Sequence, residues 1–282
     1  MKIAMLHTTI RTDEKLLIKA AKSRNVNLEC LDVRNMILDI DNDYDYDIVL
    51  ERCISTTKGN YGTSFFESLN ISVVNSSAVA RVCQDKYLTS LALAKDQIPT
   101  PDFTMVFDLG AARTAIEQIG GFPVVIKPTI GSWGRLLSKV NDFDALETIL
   151  EHKQVLGSPH HKAFYIQKYI EKKGADIRAF VINGKVICAI LRRSDHWITN
   201  TARGAVAENF TVDKRLEIIC RQASDAVGGG ILAIDLMELN GGYTINEINH
   251  TMEFKNSETP TGVSISGAII DYCLKIAKQN NL

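Results

Sequence analysis

Within Ile231–Asn249, ILAIDLMELNGGYTINEIN, three oxygen-bearing side chains stand where an apolar strand and its return would bring them together. Asp235 is set in the run ILAIDLM, Gly241–Gly242 supplies a reversal, and Glu247 and Asn249 alternate on the returning strand. A period of two sends Glu247 and Asn249 to the same face. Two carboxylates and an amide oxygen among Ile, Leu and Ala would repel and desolvate one another unless a cation lay between them. An all-oxygen donor set favours Mg2+ or Mn2+ over zinc. The competing reading, an exposed strand face with ordinary acidic residues, is disfavoured by the apolar setting of Asp235.

A second segment, Val124–Val140, reads VVIKPTIGSWGRLLSKV. Lys127 ends a β-branched run. Gly131 and Gly134 let backbone N–H groups turn toward a common point, and Ser132 and Arg135 add donors. That arrangement suits a flap folding over phosphates, although Lys127 alone would fit an edge lysine snorkelling to water equally well. The loop is neither a GxxxxGK[ST] nor a GxGxxG pattern. Trp133 at its tip reads as a lid or partner contact rather than as core.

A third segment is FYIQKYIEKKGADIRAFVINGKVICAILRR. Gln167, Lys168, Tyr169 and Ile170 leave a strand without a helix or turn signature, so their backbone can meet the edge of an adenine ring. Asp176 and Arg178 point the same way from the next strand; as a mere surface ion pair they would contribute little. Asn183–Gly184 is a strong hairpin signal. Arg192 and Arg193 end that hairpin, with one expected to face the site and the other to be solvated.

A lysine, a Gly-rich flap, an adenine-edge strand, arginines and an oxygen-ligated metal pair fit nucleoside triphosphate chemistry without a covalent nucleophile. The six histidines show no zincin spacing and there is no GxSxG elbow.

The 282 residues, 45% hydrophobic and 23% charged, allow one large or two to three small soluble domains. A net charge of −1 provides no global field for a nucleic acid. No run approaches the roughly 20 apolar residues of a membrane helix, and MKIAMLHTT is too short for a signal sequence, so a cytoplasmic, soluble protein is expected. The six cysteines are all more than four residues apart, which suits buried thiols in a reducing compartment. The acidic turn Asp41–Asp47 lacks calcium-loop spacing and reads as solvated.

The elements that must position these groups alternate β and α up to about Val74, favouring a parallel sheet with helices on both faces. Expected there are strands at Lys2–Leu6, Asn27–Val33 and Ile71–Val74, with helices at Asp13–Ser23 and near Tyr61–Leu69. A helix over Asp85–Asp96, broken by Pro99 and Pro101, marks a boundary near residues 80–100. Beyond it the chain is strand-rich and reads as α+β with antiparallel pairing.

The order Lys86, Lys127 with PTIGSWGR, QKYI, GADIR, LRR, Asn200, Asp235 and NEIN resembles the ATP-grasp ligases over essentially the whole chain. VNSS…DK, KPxxGSWGR, IQxYI…GxDIR and EFK are similar to the amino-group carrier protein ligases of lysine and arginine biosynthesis, the LysX and ArgX type. These are relatives of RimK, which adds glutamate to a ribosomal protein. The resemblance implies an ATP-grasp fold, α/β and α+β, with an N-terminal α/β pre-ATP-grasp domain at 1–85. A central lid domain at 86–165 and a C-terminal metal-bearing domain at 166–282 would follow. It also implies ATP, two Mg2+, an acylphosphate and an amide product.

Carried over by position, Lys86 and Lys127 would bind phosphates under the Gly131–Leu137 loop. Gln167 to Ile170 would frame adenine, Asp176 the ribose, and Arg178 the phosphates or acyl group. Arg192 and Asn200 would stabilise substrate and the transferring phosphoryl, and Asp235, Glu247 and Asn249 would hold the metals. Lys168 stands where relatives often carry an acidic residue. In EFKNSETPTGV, Asn256, Thr259 and Pro260 match glutamate-using relatives rather than those acting on 2-aminoadipate. A stiffer lining would shorten the pocket by a methylene, worth about 1–3 kcal/mol.

The implied partners are glutamate and a small acidic carrier whose C-terminal glutamate is activated. A basic cluster of Arg135, Lys139, Lys172, Lys173, Arg192, Arg193 and Arg203 would dock the carrier, and a homodimer or tetramer is implied. Alternatives are 2-aminoadipate as substrate, ligation to a ribosomal protein tail, dipeptide synthesis, a kinase, and a non-catalytic nucleotide sensor.

Overall fold

The computed structural model describes residues 1–131, 133–199 and 204–280. The N-terminal part runs β1 (Lys2–His7), α1 (Thr12–Ser23), β2 (Asn27–Asp32), β3 (Ile48–Glu51), α2 (Thr56–Ser68) and β4 (Val73–Val74). Its strands form an all-parallel sheet in the order β2-β1-β3-β4. The four apolar residues Ile3 to Leu6 are fully buried, the pattern of a strand covered on both faces. Helix α2 begins earlier than expected because the Ser55 hydroxyl caps it, accepting from the Lys58 N–H.

Two short helices follow, α3 (Ser77–Cys83) and α4 (Lys86–Lys95). Asp85 caps α4, its Oδ1 accepting the N–H groups of Tyr87 and Leu88 at 2.8 and 3.1 Å. Next come β5 (Phe103–Val106), α5 (Leu109–Gln118), β6 (Val124–Lys127), β7 (Ser138–Val140), α6 (Phe143–Leu156) and β8 (Phe164–Lys168). Their antiparallel sheet has the order β5-β8-β6-β7 and a core of its own around Ile116, Ile126, Leu146 and Ile166.

The remainder comprises β9 (Ala175–Ile182), β10 (Lys185–Arg193), β11 (Val206–Phe210), α7 (Lys214–Val227), β12 (Ile231–Leu239), β13 (Gly242–Asn249), α8 (Glu258–Thr261) and α9 (Ile265–Asn280). The strands form an antiparallel sheet ordered β11-β10-β9-β12-β13. Strands β7 and β11 and helix α8 were not anticipated.

The domain expectation of 86–165 needs correction at both ends. Val79, Cys83, Leu93 and Ile98, from α3, α4 and just beyond, share a core with α7 and β12, so α4 belongs to the C-terminal sheet. A cut at 165 would divide β8. The central unit therefore spans 103–168. Helix α9 returns to the start of the chain: Ile265, Ile269 and Cys273 pack with Ile3, Met5 and Leu17.

Asp47 in the acidic turn accepts the Lys2 backbone N–H at 2.7 Å. Among the described residues, no cluster of three or more His, Cys, Asp or Glu could hold a metal. The cysteines are free, five buried and Cys30 half-buried. Among the same residues no helix is long and apolar enough to cross a membrane.

Candidate active site

The central and C-terminal sheets face each other across a cleft with a cavity of about 200 Å3, which the N-terminal unit closes on a third side. Lys127, at the end of β6, is only 6% exposed. Its amine donates to Asn246 Oδ1 at 2.9 Å. Burial pulls its pKa down to about 7, which Glu247 opposes while the like charges of Lys86 and Lys172 reinforce it.

Lys86 is the first residue of α4, and its backbone N–H donates to Thr129 O at 2.9 Å, tying that helix to the loop after β6. Its amine donates to Gly131 O at 2.7 Å and lies 3.4 Å from Glu247. Gly131, Trp133, Gly134 and Arg135 all line the cleft. The Arg135 guanidinium sits over the Trp133 ring at 4.9 Å, and the Trp133 indole donates to Glu253 at 3.4 Å. Ser132, Asn200 and Arg203 lie outside the described residues.

On the cleft floor the strand registers do the positioning. Asp235 on β12 stands opposite Arg178 on β9 and opposite Glu247 on β13. Arg178 donates through Nε and Nη2 to the two Asp235 oxygens at 2.7 and 2.8 Å. Arg192, 3% exposed, spans Asp176 at 2.7 Å and Asp235 at 3.2 Å. Burial works against ionising Asp235, but Arg178 and Arg192 overcome it and lower its pKa to about 2. Arg192 is likewise pulled down by burial, yet Asp235 and Asp176 raise it overall. Arg193 turns outward to Glu208, so one arginine of the pair faces the site and the other is solvated.

Asp176 is fully engaged: besides Arg192 it accepts from Lys172 at 3.2 Å and from the Thr199 hydroxyl. Lys172 and Arg192 are thus used inside the molecule, which removes them from the expected carrier-docking cluster. Arg135, Lys173 and Arg193 remain exposed, and Lys139 sits 3.7 Å over the Tyr169 ring.

A second cavity adjoins Lys127 on the side of β8, lined by Gln167, Lys168, Tyr169, Ile170, Asp176 and Arg192. Two backbone donors of this strand end are already used, Lys168 N–H by Asp102 O and Tyr169 N–H by Pro123 O. The adenine-edge expectation narrows to Ile170 N–H and the carbonyls. The Lys168 side chain points away, donating to Gly120 O and Gly121 O. Val125, Leu137, Ile198, Met237 and Trp197 give this cavity apolar walls.

A third, smaller cavity brings together Arg178, Arg192, Glu253, Lys255 and Asn256. Arg192 Nη1 is buried and has no hydrogen-bond partner among the described residues. Thr259 and Pro260 lie on α8, which packs on β10 and β11, and they line none of these three cavities. Of the three residues expected to shape the substrate pocket, Asn256 lines one of these cavities.

Asp235, Glu247 and Asn249 line one cavity, as their spacing suggests. Asn249 Nδ2 is buried and has no hydrogen-bond partner among the described residues. The contacts on Asp235 leave a carboxylate lone pair open. Two carboxylates and an amide oxygen fit a hard divalent cation.

Asn246, Trp197, Met237 and Glu253 were missed. For Asn246 a signal existed: in TINEIN the apolar Ile245 and Ile248 are three apart, which breaks strand alternation and marks a bulge.

Residues 83–273 match the RimK-like ATP-grasp domain and residues 3–82 the LysX preATP-grasp domain. The chain belongs to the RimK-like ATP-grasp family. Among its relatives is the Glutamate--LysW ligase ArgX of Sulfurisphaera tokodaii, 33% identical over 96% of this chain and 98% of that protein. The Alpha-aminoadipate--LysW ligase LysX of Saccharolobus solfataricus is 30% identical over 95% and 99%. A RimK domain ATP-grasp protein from Sphaerobacter thermophilus has a similar structure, with a TM-score of 0.81 and 25% identity, covering 97% of this chain and all of that one. As an ATP-grasp ligase, the protein uses ATP and a divalent metal to form an amide.

Proposed function

We propose that this ATP-grasp ligase joins the α-amine of glutamate to the side-chain carboxylate of a C-terminal glutamate on a small acidic carrier protein of the LysW kind, in arginine biosynthesis. The observation that carries the choice of acceptor is the small cavity of Arg178, Arg192, Lys255, Asn256 and one carboxylate, Glu253, with Arg192 Nη1 buried and unpartnered among the described residues. The cationic donors gathered there suit a carboxylate of an acidic amino acid. The names of the relatives support the carrier.

In this reading ATP spans the two larger cavities. Its adenine lies between Trp197, Met237 and the backbone at Ile170, and its phosphates meet Lys86 and Lys127 under the Gly131–Leu137 loop. Asp235, Glu247 and Asn249 hold Mg2+, which when bound supplies charge neutralisation for the phosphates. The carrier carboxylate attacks the γ-phosphorus and ADP leaves. The acceptor amine then attacks the acyl carbon, phosphate leaves with the bonding pair, and the amine proton passes to solvent. Lys127, Arg178 and Arg192 hold the anions in line; no side chain forms a covalent bond, so positioning and charge carry the rate.

Purified carrier incubated with the enzyme, ATP and equal glutamate and 2-aminoadipate should gain the mass of one glutamate residue, glutamate less water. Addition of mainly 2-aminoadipate would overturn the glutamate assignment, and no addition to any LysW-like carrier would overturn the carrier assignment.

A further inference from the structure

Lys127 is a buried cation without a carboxylate partner. Among the described residues it makes no ion pair, whereas Lys86, Lys172, Arg178 and Arg192 around the same cleft each join a carboxylate. Its contact is the amide of Asn246, at 2.9 Å. An ammonium group only donates, so the amide oxygen must be the atom that faces it. The other end of the amide, Nδ2, makes no hydrogen bond to a described residue.

Asn246 reaches the cleft through an irregularity of β13. Asp235 pairs with Glu247 and Leu236 with Ile245, so Asn246 is an extra residue with no opposite number on β12. A bulge of this kind breaks the alternation of side chains. Asn246 and Glu247, adjacent in sequence, therefore both line the cavities on either side of Lys127.

We propose that Asn246 is a positioning residue whose neutrality is functional: it aims Lys127 into the cleft while leaving the ammonium charge for an incoming phosphate. The proposal rests on the reading of the cleft as an ATP site. A carboxylate at 246 would neutralise Lys127 from within and add an anion beside Glu247. An apolar residue would leave the ammonium without its acceptor, free to swing.

The test is ATP binding by calorimetry to the full chain, with Mg2+ and again with EDTA, because an added carboxylate could recruit the ion. Asn246→Asp should weaken ATP binding about tenfold or more, Asn246→Ala about fivefold and Asn246→Ser about twofold. A residue that only filled the bulge would give another order, since Asp is the near-isostere of Asn. An Asp variant that binds ATP as tightly as the unaltered protein, or more tightly than the Ala variant, overturns the proposal. In a Lys127→Met background the Asn-to-Asp difference should shrink below about twofold. A tenfold gap that persists there would place the effect on Glu247 and also overturn it. Should Asn246→Asp fail to fold, Asn246→Ser must still outbind Asn246→Ala, and equal affinities sink the idea. Absence of ATP binding by the unaltered protein would overturn the ATP reading itself, and the proposal with it.

Discussion

The two oxygens of Asp235 each receive an N–H of Arg178, at 2.7 and 2.8 Å, across the register pair that joins β12 to β9. Arg192 leans on the same carboxylate from β10 and is itself held by Asp176. The floor of the cleft is thus a short ladder of alternating charges spread over three neighbouring strands. Removing a member from a buried ion pair leaves its partner uncompensated, which costs about 3–5 kcal/mol. Asp235→Ala should therefore lower the unfolding midpoint clearly as well as abolish amide formation. Thermal unfolding beside a ligation assay checks both, and an unchanged midpoint would contradict the packing described.

Lys127 carries the opposite sign of effect. Its pKa in the folded protein, about 7, lies below the ordinary lysine value of 10.5. Between those values the unfolded chain holds a proton that the folded one has released, so stability rises with pH across that window. Below about pH 7 both states are protonated and the destabilisation is at its full extent. Lys127→Met should accordingly raise the midpoint of the ligand-free protein at pH 7 while weakening ATP binding at least about tenfold. Above pH 7, ATP binding should take up a proton, measurable by calorimetry in buffers of differing ionisation enthalpy.

Glu253 Oε1 accepts from both Arg11, at 2.6 Å, and Trp133, at 3.4 Å, so one oxygen joins the N-terminal unit to the loop after β6. In a Trp197→Phe background, where Trp133 is the only tryptophan, Glu253→Ala should raise acrylamide quenching of Trp133 about twofold. ADP formed without amide should rise with it, as water gains access to the acylphosphate. Identical quenching in the two proteins would show that the contact does not hold the loop.

Gly230 makes a sharper backbone prediction. At φ +92° an added Cβ would also lie against the Asn75 side chain. That amide receives Ile231 N–H at 2.7 Å and donates to Ile231 O and His250 O at 2.7 and 2.6 Å, clamping β12 to the end of β13. Gly230→Ala should cost about 2–3 kcal/mol, combining strain with the broken clamp. Gly241→Ala, at φ +74° with nothing within 4 Å, should cost about 1 kcal/mol. Urea unfolding of the two variants decides, and equal losses would remove the clamp from the explanation.

The parts of the site legible in the sequence were those where a polar residue interrupts an apolar strand. Asp235, Glu247 and Lys127 stand out because burying such groups demands a reason, and period-2 spacing says which of them share a face. Asn246 stayed hidden because that same spacing assigns it to the opposite face unless the bulge is noticed. Lys172 reads as part of a surface basic cluster and Asp176 as a ribose contact, since nothing local says that Lys172 folds back onto Asp176 and Thr199. The placement of Thr259 and Pro260 was unreadable for a similar reason: where α8 docks is decided by β10 and β11. The helical character of α4 was readable, but an apolar face does not say which sheet it will cover.

The return of α9 to pack beside Ile3, Met5 and Leu17 has a consequence for biogenesis. During synthesis, the parallel sheet leaves the ribosome with one flank bare and stays so until some two hundred further residues have been translated. The opening strands must wait for a distant segment to arrive, which makes this a slow-closing topology and a nascent chain dependent on protection from association with its neighbours.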